Sequence, residues 1–252
     1  MTGSRRRWAV GAAAVVLLAV ASVVFSGVDL WFSGLFWHPG QGFFDRDSWW
    51  AMALYRSVPV IAYVVVGLAL LMLIANAVRR RPLLLPSRAI LYVLVVVAVG
   101  PGLVVNVLFK DHWGRARPRD VVEFGGTATF TPAFVVSDQC PRNCSFVAGH
   151  PSMALALVAL ALLISRRRRV LRRSAVAAVL VFGLLVGLGR IVQGGHFLSD
   201  VVFSAIFTLT IAWGLYRLFG LDPPAADSPV ESATPPVRSS ASGTTDSGIE
   251  GG

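Results

Sequence analysis

Residues 174–219 read SAVAAVLVFGLLVGLGRIVQGGHFLSDVVFSAIFTLTIAWGLYRLF. Two apolar runs, about 174 to 190 and 201 to 219, flank a short stretch, GRIVQGGHFLSD at 189–200, that holds Arg190, His196 and Asp200. At a rise of about 1.5 Å per residue, runs of this length cross or nearly cross the roughly 30 Å hydrocarbon layer of a bilayer. An unpaired charge in apolar surroundings costs several kcal/mol, so this cluster implies either partners or a task.

The rest of the chain has the same character. Of its 252 residues 55% are hydrophobic and only 14% charged, with a mean hydropathy of +0.68. Six runs are long and apolar enough to span or nearly span a membrane: about 8 to 26, 53 to 78, 88 to 109, 151 to 165, 174 to 190 and 201 to 219. The expected fold is therefore all-α, an integral membrane bundle of six transmembrane helices. The fourth and fifth runs are short, as expected if their polar ends line a pocket enclosed by protein rather than facing lipid.

The formal charge of +10 does not point to nucleic acid. Arg5–Arg7, Arg79–Arg81, Arg166–Arg169 and Arg172–Arg173 fall in alternate connections, the positive-inside pattern, and no interleaved aromatic surface accompanies them. Both termini are expected to be cytoplasmic. A cleaved leader is the rival reading of residues 1–26, but an apolar run of about 18 residues exceeds the usual signal core. From about 221 the chain becomes rich in Pro, Ser, Ala and Gly, and its five acids against one arginine leave +14 on residues 1–220. Two regions follow: a membrane domain over 1–220 and a disordered cytoplasmic tail over 221–252. No internal repeat and no Walker, Rossmann or GxSxG pattern is present.

Counted outward from a cytoplasmic N-terminus, three polar clusters emerge on one face: KDHWGRARPRD at 110–120, CSFVAGHPS at 144–152, and the opening stretch. All four histidines, His38, His112, His150 and His196, and the only lysine, Lys110, fall in outward segments. Singly, Arg190 reads equally as an interfacial side chain and Asp200 as a helix cap. Jointly, the clusters point to a site.

His196 and Asp200, four residues apart at a helix start, share one face. The carboxylate would accept a proton from one ring nitrogen and leave the other as a nucleophile, although the same doublet would also serve as a plain cap. His150 precedes Pro151, a residue favoured in the first helical turn, and Gly149 lets main chain approach an anion at that helix start. His150 there fits a general acid. Lys110, Arg117 and Arg190 match the roughly two negative charges of a phosphomonoester. So cationic a cluster would repel a divalent ion, so neither a metal site nor any other cofactor is expected.

With these residues in place, the chain resembles the type-2 phosphatidic acid phosphatase superfamily of membrane lipid phosphatases. Lys110 to Pro118 matches the first motif, Lys, six residues, Arg-Pro. Arg190, His196 and Asp200 match the third, Arg, five residues, His, three residues, Asp. The resemblance implies attack by His196 on phosphorus, a phosphohistidine intermediate, assistance from Asp200, leaving-group protonation by His150, and phosphate binding by Lys110, Arg117, Arg190 and the Gly149 helix start. The second motif departs: Val147-Ala148-Gly149-His150 stands where the family has Pro-Ser-Gly-His, so a phosphate-binding hydroxyl is missing.

The words around the motifs resemble a bacterial branch that includes lipid A, phosphatidylglycerophosphate and undecaprenyl pyrophosphate phosphatases. A lipid A-type substrate is the first expectation, with the other lipids, transfer to an acceptor lipid, and an inactive lipid-binding relative as alternatives. A phosphate-conducting transporter is disfavoured because the first, fourth and fifth spans are almost wholly apolar. The cytoplasmic membrane of a bacterium, with the site on the periplasmic face, is the expected location. Arg115, Arg119 and Arg142 are headgroup-contact candidates in the long outer segment, where guanidinium forks suit phosphate. Cys140 and Cys144 are the only cysteines, and the periplasm permits a disulfide between them. The aromatic segment LWFSGLFWHPGQGFFDRDSWW at 30–50 is expected to form an interfacial belt.

Overall fold

A computed structural model describes residues 11–221 apart from 12, 15 and 18. The arginines at 5–7 and the tail from residue 222 lie outside the described residues. The chain is mostly helical. Helix α1 covers 11–24 where described, and α2 is Gly27–Gly34. A two-residue hairpin, β1 (Trp37–His38) antiparallel to β2 (Gly42–Phe43), follows with Trp37 opposite Phe43. Then come α3 (Trp49–Arg79), α4 (Ser87–Val97), α5 (Gly149–Ala156), α6 (Val158–Leu163), α7 (Arg169–Val192) and α8 (Leu198–Leu218). Helix α4 continues as a π-helical segment, Ala98–Phe109.

Among the described residues four helices are long and apolar enough to cross a membrane: α3, α4 with its continuation, α7 and α8. The protein is thus a membrane protein. The run expected at 151–165 is a shorter apolar pair, α5 and α6, over Gly149–Leu163. Its side chains explain the shortness. Ala154, Leu155, Ala156, Val158, Ala159 and Ala161 are all buried, so this helix is surrounded by protein and need not match the lipid thickness.

Small residues allow the enclosure. A Cβ at Gly183 would overlap Leu155 of α5, and one at Gly187 would overlap Val201 of α8, so this GxxxG pair lets α7 approach both neighbours closely. Ser152 and Thr208 share a buried hydrogen bond of 2.7 Å between α5 and α8, and Tyr92 of α4 donates to the Ala212 carbonyl at 3.0 Å. Pro101 accounts for the π winding: it has no amide hydrogen, and its ring would collide with the Val97 carbonyl in an α-helix. The wider turn persists to the end, where the Lys110 amide bonds to the Val105 carbonyl five residues back.

Helices α7 and α8 run in opposite directions. Arg172, at the start of α7, stacks its guanidinium over Tyr216 near the end of α8, 5.6 Å from the ring centre. Arg190 and Asp200 therefore sit together at the other end, about 25 Å away at helical rise. The segment 111–148 packs over that end on an aromatic cluster of Phe109, Trp113, Phe134, Phe146 and Phe203. Gly114, at φ +69°, passes so close to the Ser137 carbonyl that no side chain fits.

The aromatic segment is only partly a belt. Trp31 and Trp49 are exposed, but Phe43 is buried, and it and Trp37 pack on Phe124. These rings seat the hairpin on the 111–148 segment.

Candidate active site

Four helix ends converge: the last turn of the π segment with Lys110, the first turn of α5 with Gly149 and His150, the last turn of α7 with Arg190, and the first turn of α8 with Asp200. Lys110 is nearly buried. A Cβ at Gly149 would lie 3.2 Å from Lys110 Cε and 3.3 Å from Nζ, so glycine there makes room for the ammonium at the helix start. Lys110 Nζ donates to Asn143 Oδ1 at 3.2 Å, and Arg117 Nη2 donates to the Asn143 carbonyl at 2.6 Å and to Oδ1 at 3.1 Å. One asparagine thus gathers two of the expected phosphate-binding cations. It precedes Cys144, which is disulfide-bonded to Cys140 with Cα atoms 5.6 Å apart.

Arg190 is held on two sides. Its Nη1 donates to Gln193 Oε1, and its guanidinium lies 4.9 Å from the Tyr55 ring centre. Tyr55 in turn stacks on His150 at 4.3 Å. A Cβ at Gly195 would overlap the Arg190 guanidinium, so that glycine is required by the arginine's position. Arg190 Nε is buried without a partner among the described residues.

His196 is almost wholly buried, and its Nδ1 lies 2.7 Å from the Ser145 carbonyl. A carbonyl oxygen only accepts, so Nδ1 carries the hydrogen and Nε2 the lone pair. Nε2 has no partner among the described residues. The sequence-based expectation that Asp200 takes the Nδ1 proton is corrected here: its Oδ2 is 3.7 Å away. Asp200 accepts instead from Arg115 Nη1, the Ser145 hydroxyl and the Phe197 amide. The carboxylate therefore caps α8 and holds Ser145, whose carbonyl holds His196.

Arg115 is also corrected. Expected to meet a headgroup, it is fully buried and makes four hydrogen bonds inside the protein. Besides Asp200 it bonds Asp29 Oδ2 at 2.8 Å, Ser199 Oγ at 2.9 Å and the Thr131 carbonyl at 2.8 Å, and it stacks 4.4 Å from the Phe197 ring centre. Asp29 also accepts from the Ser199 amide and hydroxyl. One guanidinium thus links two buried carboxylates from α2 and α8.

The electrostatics follow from burial among cations. Burial pushes Lys110 from 10.5 down to about 8, and Arg117 and Arg190 push the same way. Burial lowers Arg117 as well, with Arg119 adding to it. Burial takes His196 to about 3; Asp200 opposes the shift, while Lys110 and Arg190 add to it. The imidazole is therefore neutral at pH 7, as a nucleophile must be.

An open cavity of about 530 Å³ leads to this cluster. Tyr55, Arg117, Asn143, Arg190 and Gln193 line it, together with Arg46, Arg119 and Arg142. Arg142 is largely exposed, with Asp111 3.9 Å away. His112 bonds the Val107 carbonyl and His38 stacks on Phe44, so neither histidine joins the site.

The family model of the PAP2 superfamily matches residues 89–222. A lipid A 4'-phosphatase of Francisella tularensis subsp. novicida is 38% identical over 204 residues, 78% of this chain and 88% of the relative. One of Rhizobium etli is 31% identical over 223 residues, 80% of this chain and 82% of the relative. The chain belongs to the PAP2 superfamily. It is accordingly a phosphatase, a hydrolase. No solved structure matches it.

The PAP2 match begins after the hairpin and α3, yet the site draws on both through Tyr55 and Arg46, and on α2 through Asp29. Asp29 had a readable signal, being the only acid in the first 44 residues and lying within an apolar stretch. Asn143 and Tyr55 had none, because each acts through a contact that only the folded chain creates. At the departure from the PAP2 pattern, Ala148 is fully buried and its methyl packs in a small apolar cluster with Ile191 and Val201.

Proposed function

We propose that this PAP2 phosphatase removes a phosphate monoester from a lipid A-type headgroup through a phosphohistidine on His196. The observation that carries the reading is the imidazole itself: buried, neutral, its Nδ1–H committed to the Ser145 carbonyl and its Nε2 lone pair free beside Lys110 and Arg190. The names of the two relatives, both lipid A 4'-phosphatases, support the substrate class.

In the first step Nε2 attacks phosphorus, the P–O bond to the lipid breaks, and His150 gives its proton to the departing alkoxide. In the second, His150 takes a proton from water as the water attacks phosphorus, the N–P bond breaks, and inorganic phosphate leaves. Lys110, Arg117, Arg190 and the Gly149 amide at the α5 start bind the phosphoryl oxygens, where pre-set donors stabilise the charge of the transition state. Asp200 acts at one remove, by holding Ser145. The excess positive charge supplies the role that a metal would otherwise play.

The same reading places six spans in a bacterial cytoplasmic membrane, with both termini cytoplasmic and the site periplasmic. The arginines of 79–81 and 166–173 support it, since they lie at the helix ends opposite the site.

The test is phosphate release from purified lipid A by the wild-type chain and by His196→Ala, with an alkaline denaturing quench to trap a base-stable, acid-labile phosphoprotein. Release by wild type, loss in the variant and a trapped phosphohistidine are expected. Hydrolysis that survives His196→Ala overturns the mechanism. Strict dependence on an acceptor lipid would make the enzyme a transferase.

A further inference from the structure

Beside the catalytic cavity lies a second one of about 410 Å³, lined by the hairpin residues Trp37, Gln41 and Phe44 together with Phe124. The two cavities share Arg46, Asp47, Arg119 and Gln193 as a common border. Each falls within the roughly 300–1,000 Å³ range of small-molecule sites. Nothing in the phosphoryl-transfer steps uses the second cavity.

Its chemistry is specific. Trp37 and Phe44 offer aromatic faces, and Phe44 is 44% exposed although it stacks on His38. Gln41 offers an amide that donates and accepts, matched to hydroxyl groups, while the buried Gln193 amide is committed to Arg190 and Met52. Flat apolar faces beside a side-chain amide suit a pyranose ring, which has an apolar C–H face and a rim of hydroxyls. A glycerol or polyprenyl phosphate presents no such face.

The border carries charge that the scissile phosphate does not need. Lys110, Arg117 and Arg190 already match a dianion. Arg119 shares its charge with Asp120, whose Oδ1 lies 3.7 Å from Nε. The Arg46 side chain makes no hydrogen bond or ion pair among the described residues, although it stands at the junction of both cavities. Gln193 couples the halves: its Oε1 holds Arg190 in the catalytic cavity while its side chain borders the second. The Arg119 amide, bonded to the Gly194 carbonyl at 3.2 Å, ties the border to the loop that carries His196.

We infer that the hairpin cavity is a saccharide subsite with an anion clamp, in which Arg46 and Arg119 bind a second negatively charged substituent of a phosphorylated oligosaccharide headgroup while Arg190 and Arg117 hold the phosphate to be cleaved. The inference rests on the phosphatase reading above and deepens it: the enzyme selects glycolipid phosphates that bear a further anionic group.

The experiment uses the full-length chain in detergent with three lipids: a bis-phosphorylated disaccharide lipid, the same lipid lacking the distal phosphate, and phosphatidic acid. Turnover is measured for wild type and for Arg46→Ala. Binding of the two disaccharide lipids is measured by calorimetry on His196→Ala with and without Arg46→Ala, so the subsite is read without hydrolysis. A hydrogen-bonded guanidinium–phosphate contact predicts roughly tenfold or more in favour of the doubly charged lipid. Arg46→Ala is expected to erase that preference through KM and Kd, with the larger loss on the doubly phosphorylated lipid. Phe44→Ala is expected to weaken both disaccharide lipids and spare phosphatidic acid. Equal binding of the two disaccharide lipids, or a preference that survives Arg46→Ala, overturns the subsite. Absence of turnover with the binding preference intact would instead defeat the phosphatase reading and support the subsite.

Discussion

Replacing Arg115 by leucine removes the one cation that joins Asp29 and Asp200. Both carboxylates are buried, at 4% and 0% exposure, and Arg115 itself is at 0%. Deleting one partner of a buried ion pair costs about 3–5 kcal/mol, because an uncompensated charge stays behind. Here a single guanidinium serves two carboxylates, which places the loss at the upper end of that range. Asp200 keeps the Ser145 hydroxyl and the Phe197 amide, and Asp29 keeps the two Ser199 donors, so the loss stops short of two full pairs. Against a total stability of about 5–15 kcal/mol, the variant should unfold at far lower denaturant than wild type in the same detergent. Arg115→Lys keeps the charge, but a single ammonium cannot reach Asp29, Asp200, Ser199 and the Thr131 carbonyl together, so an intermediate loss is expected. Adding Asp29→Asn to Arg115→Leu should recover stability, with a coupling of about 0.5–3 kcal/mol between the two sites. In the surviving folded fraction kcat should fall more than KM changes, because Asp200 positions Ser145 and Ser145 sets the His196 tautomer. An Arg115→Leu chain with the wild-type unfolding midpoint and full kcat, or with no coupling to Asp29, would refute this account of the buried network.

Burial holds Lys110 down at about 8, so kcat/KM should fall as pH rises through 8 and the ammonium loses its proton, and Lys110→Arg should move that limb upward in a pH–rate profile. Between pH 8 and the ordinary lysine value of 10.5 the unfolded chain binds the proton that the folded chain has lost, so stability without phosphate should rise over that window, and Lys110→Met should flatten the rise in a thermal scan. Gly195→Ala drives a methyl into the Arg190 guanidinium and should raise KM for the lipid phosphate about tenfold or more with little change in melting temperature; unchanged kinetics would dissociate Arg190 from phosphate binding. Ala148→Ser places a hydroxyl in the cluster with Ile191 and Val201, and should cost about 1–3 kcal/mol of stability without raising phosphate release, reversing what the bare motif suggests. Chelator in the assay should leave the rate unchanged, since the phosphoryl oxygens meet fixed cations; a rate abolished by chelation and restored by a divalent ion would contradict the metal-free steps.

How much of this was legible depended on whether a residue acts through its own sequence position or through a neighbour brought by folding. Lys110, His150, Arg190, His196 and Asp200 were legible because charge in apolar sequence is costly and because each falls at an end of an apolar run, and Arg117 was legible from its spacing to Lys110. The long helices α3, α4, α7 and α8 were legible for the complementary reason. The short helix at 149–163 was readable as an apolar run, but its enclosure depended on Gly183 and Gly187, which look like any other helical glycines until Leu155 and Val201 are set against them. Arg115 was misplaced because its spacing beside Arg117 and Arg119 suggests one basic surface. The turn at Gly114 sends Arg115 inward, while Arg117 and Arg119 line the cavity. The direct His196–Asp200 bond was expected from a separation of four residues, but that rule describes two residues within a helix. His196 precedes α8, where Asp200 turns back to cap the Phe197 amide and leaves His196 to the Ser145 carbonyl.

The enclosure of the short helix and the chemistry of the site have one cause. A helix of 15 residues is about 22 Å long, whereas α3 at 31 residues reaches about 45 Å, so a helix so much shorter than its neighbours leaves a recess. That recess is lined by neighbouring helix ends and by the segment 111–148. A phosphate entering it leaves bulk water and meets cations already desolvated by burial, as the lowered Lys110 value records. Such cations have lost hydration in advance, so less solvent must reorganise as charge shifts at phosphorus. The cost appears as mutual repulsion among Lys110, Arg117 and Arg190, and Asn143, Gln193 and Tyr55 hold those side chains in place against it. Removing Asn143 should therefore loosen Lys110 and Arg117 and weaken phosphate binding while leaving the imidazole untouched. That separation between KM and kcat would not arise if Asn143 merely stiffened the loop beside the disulfide.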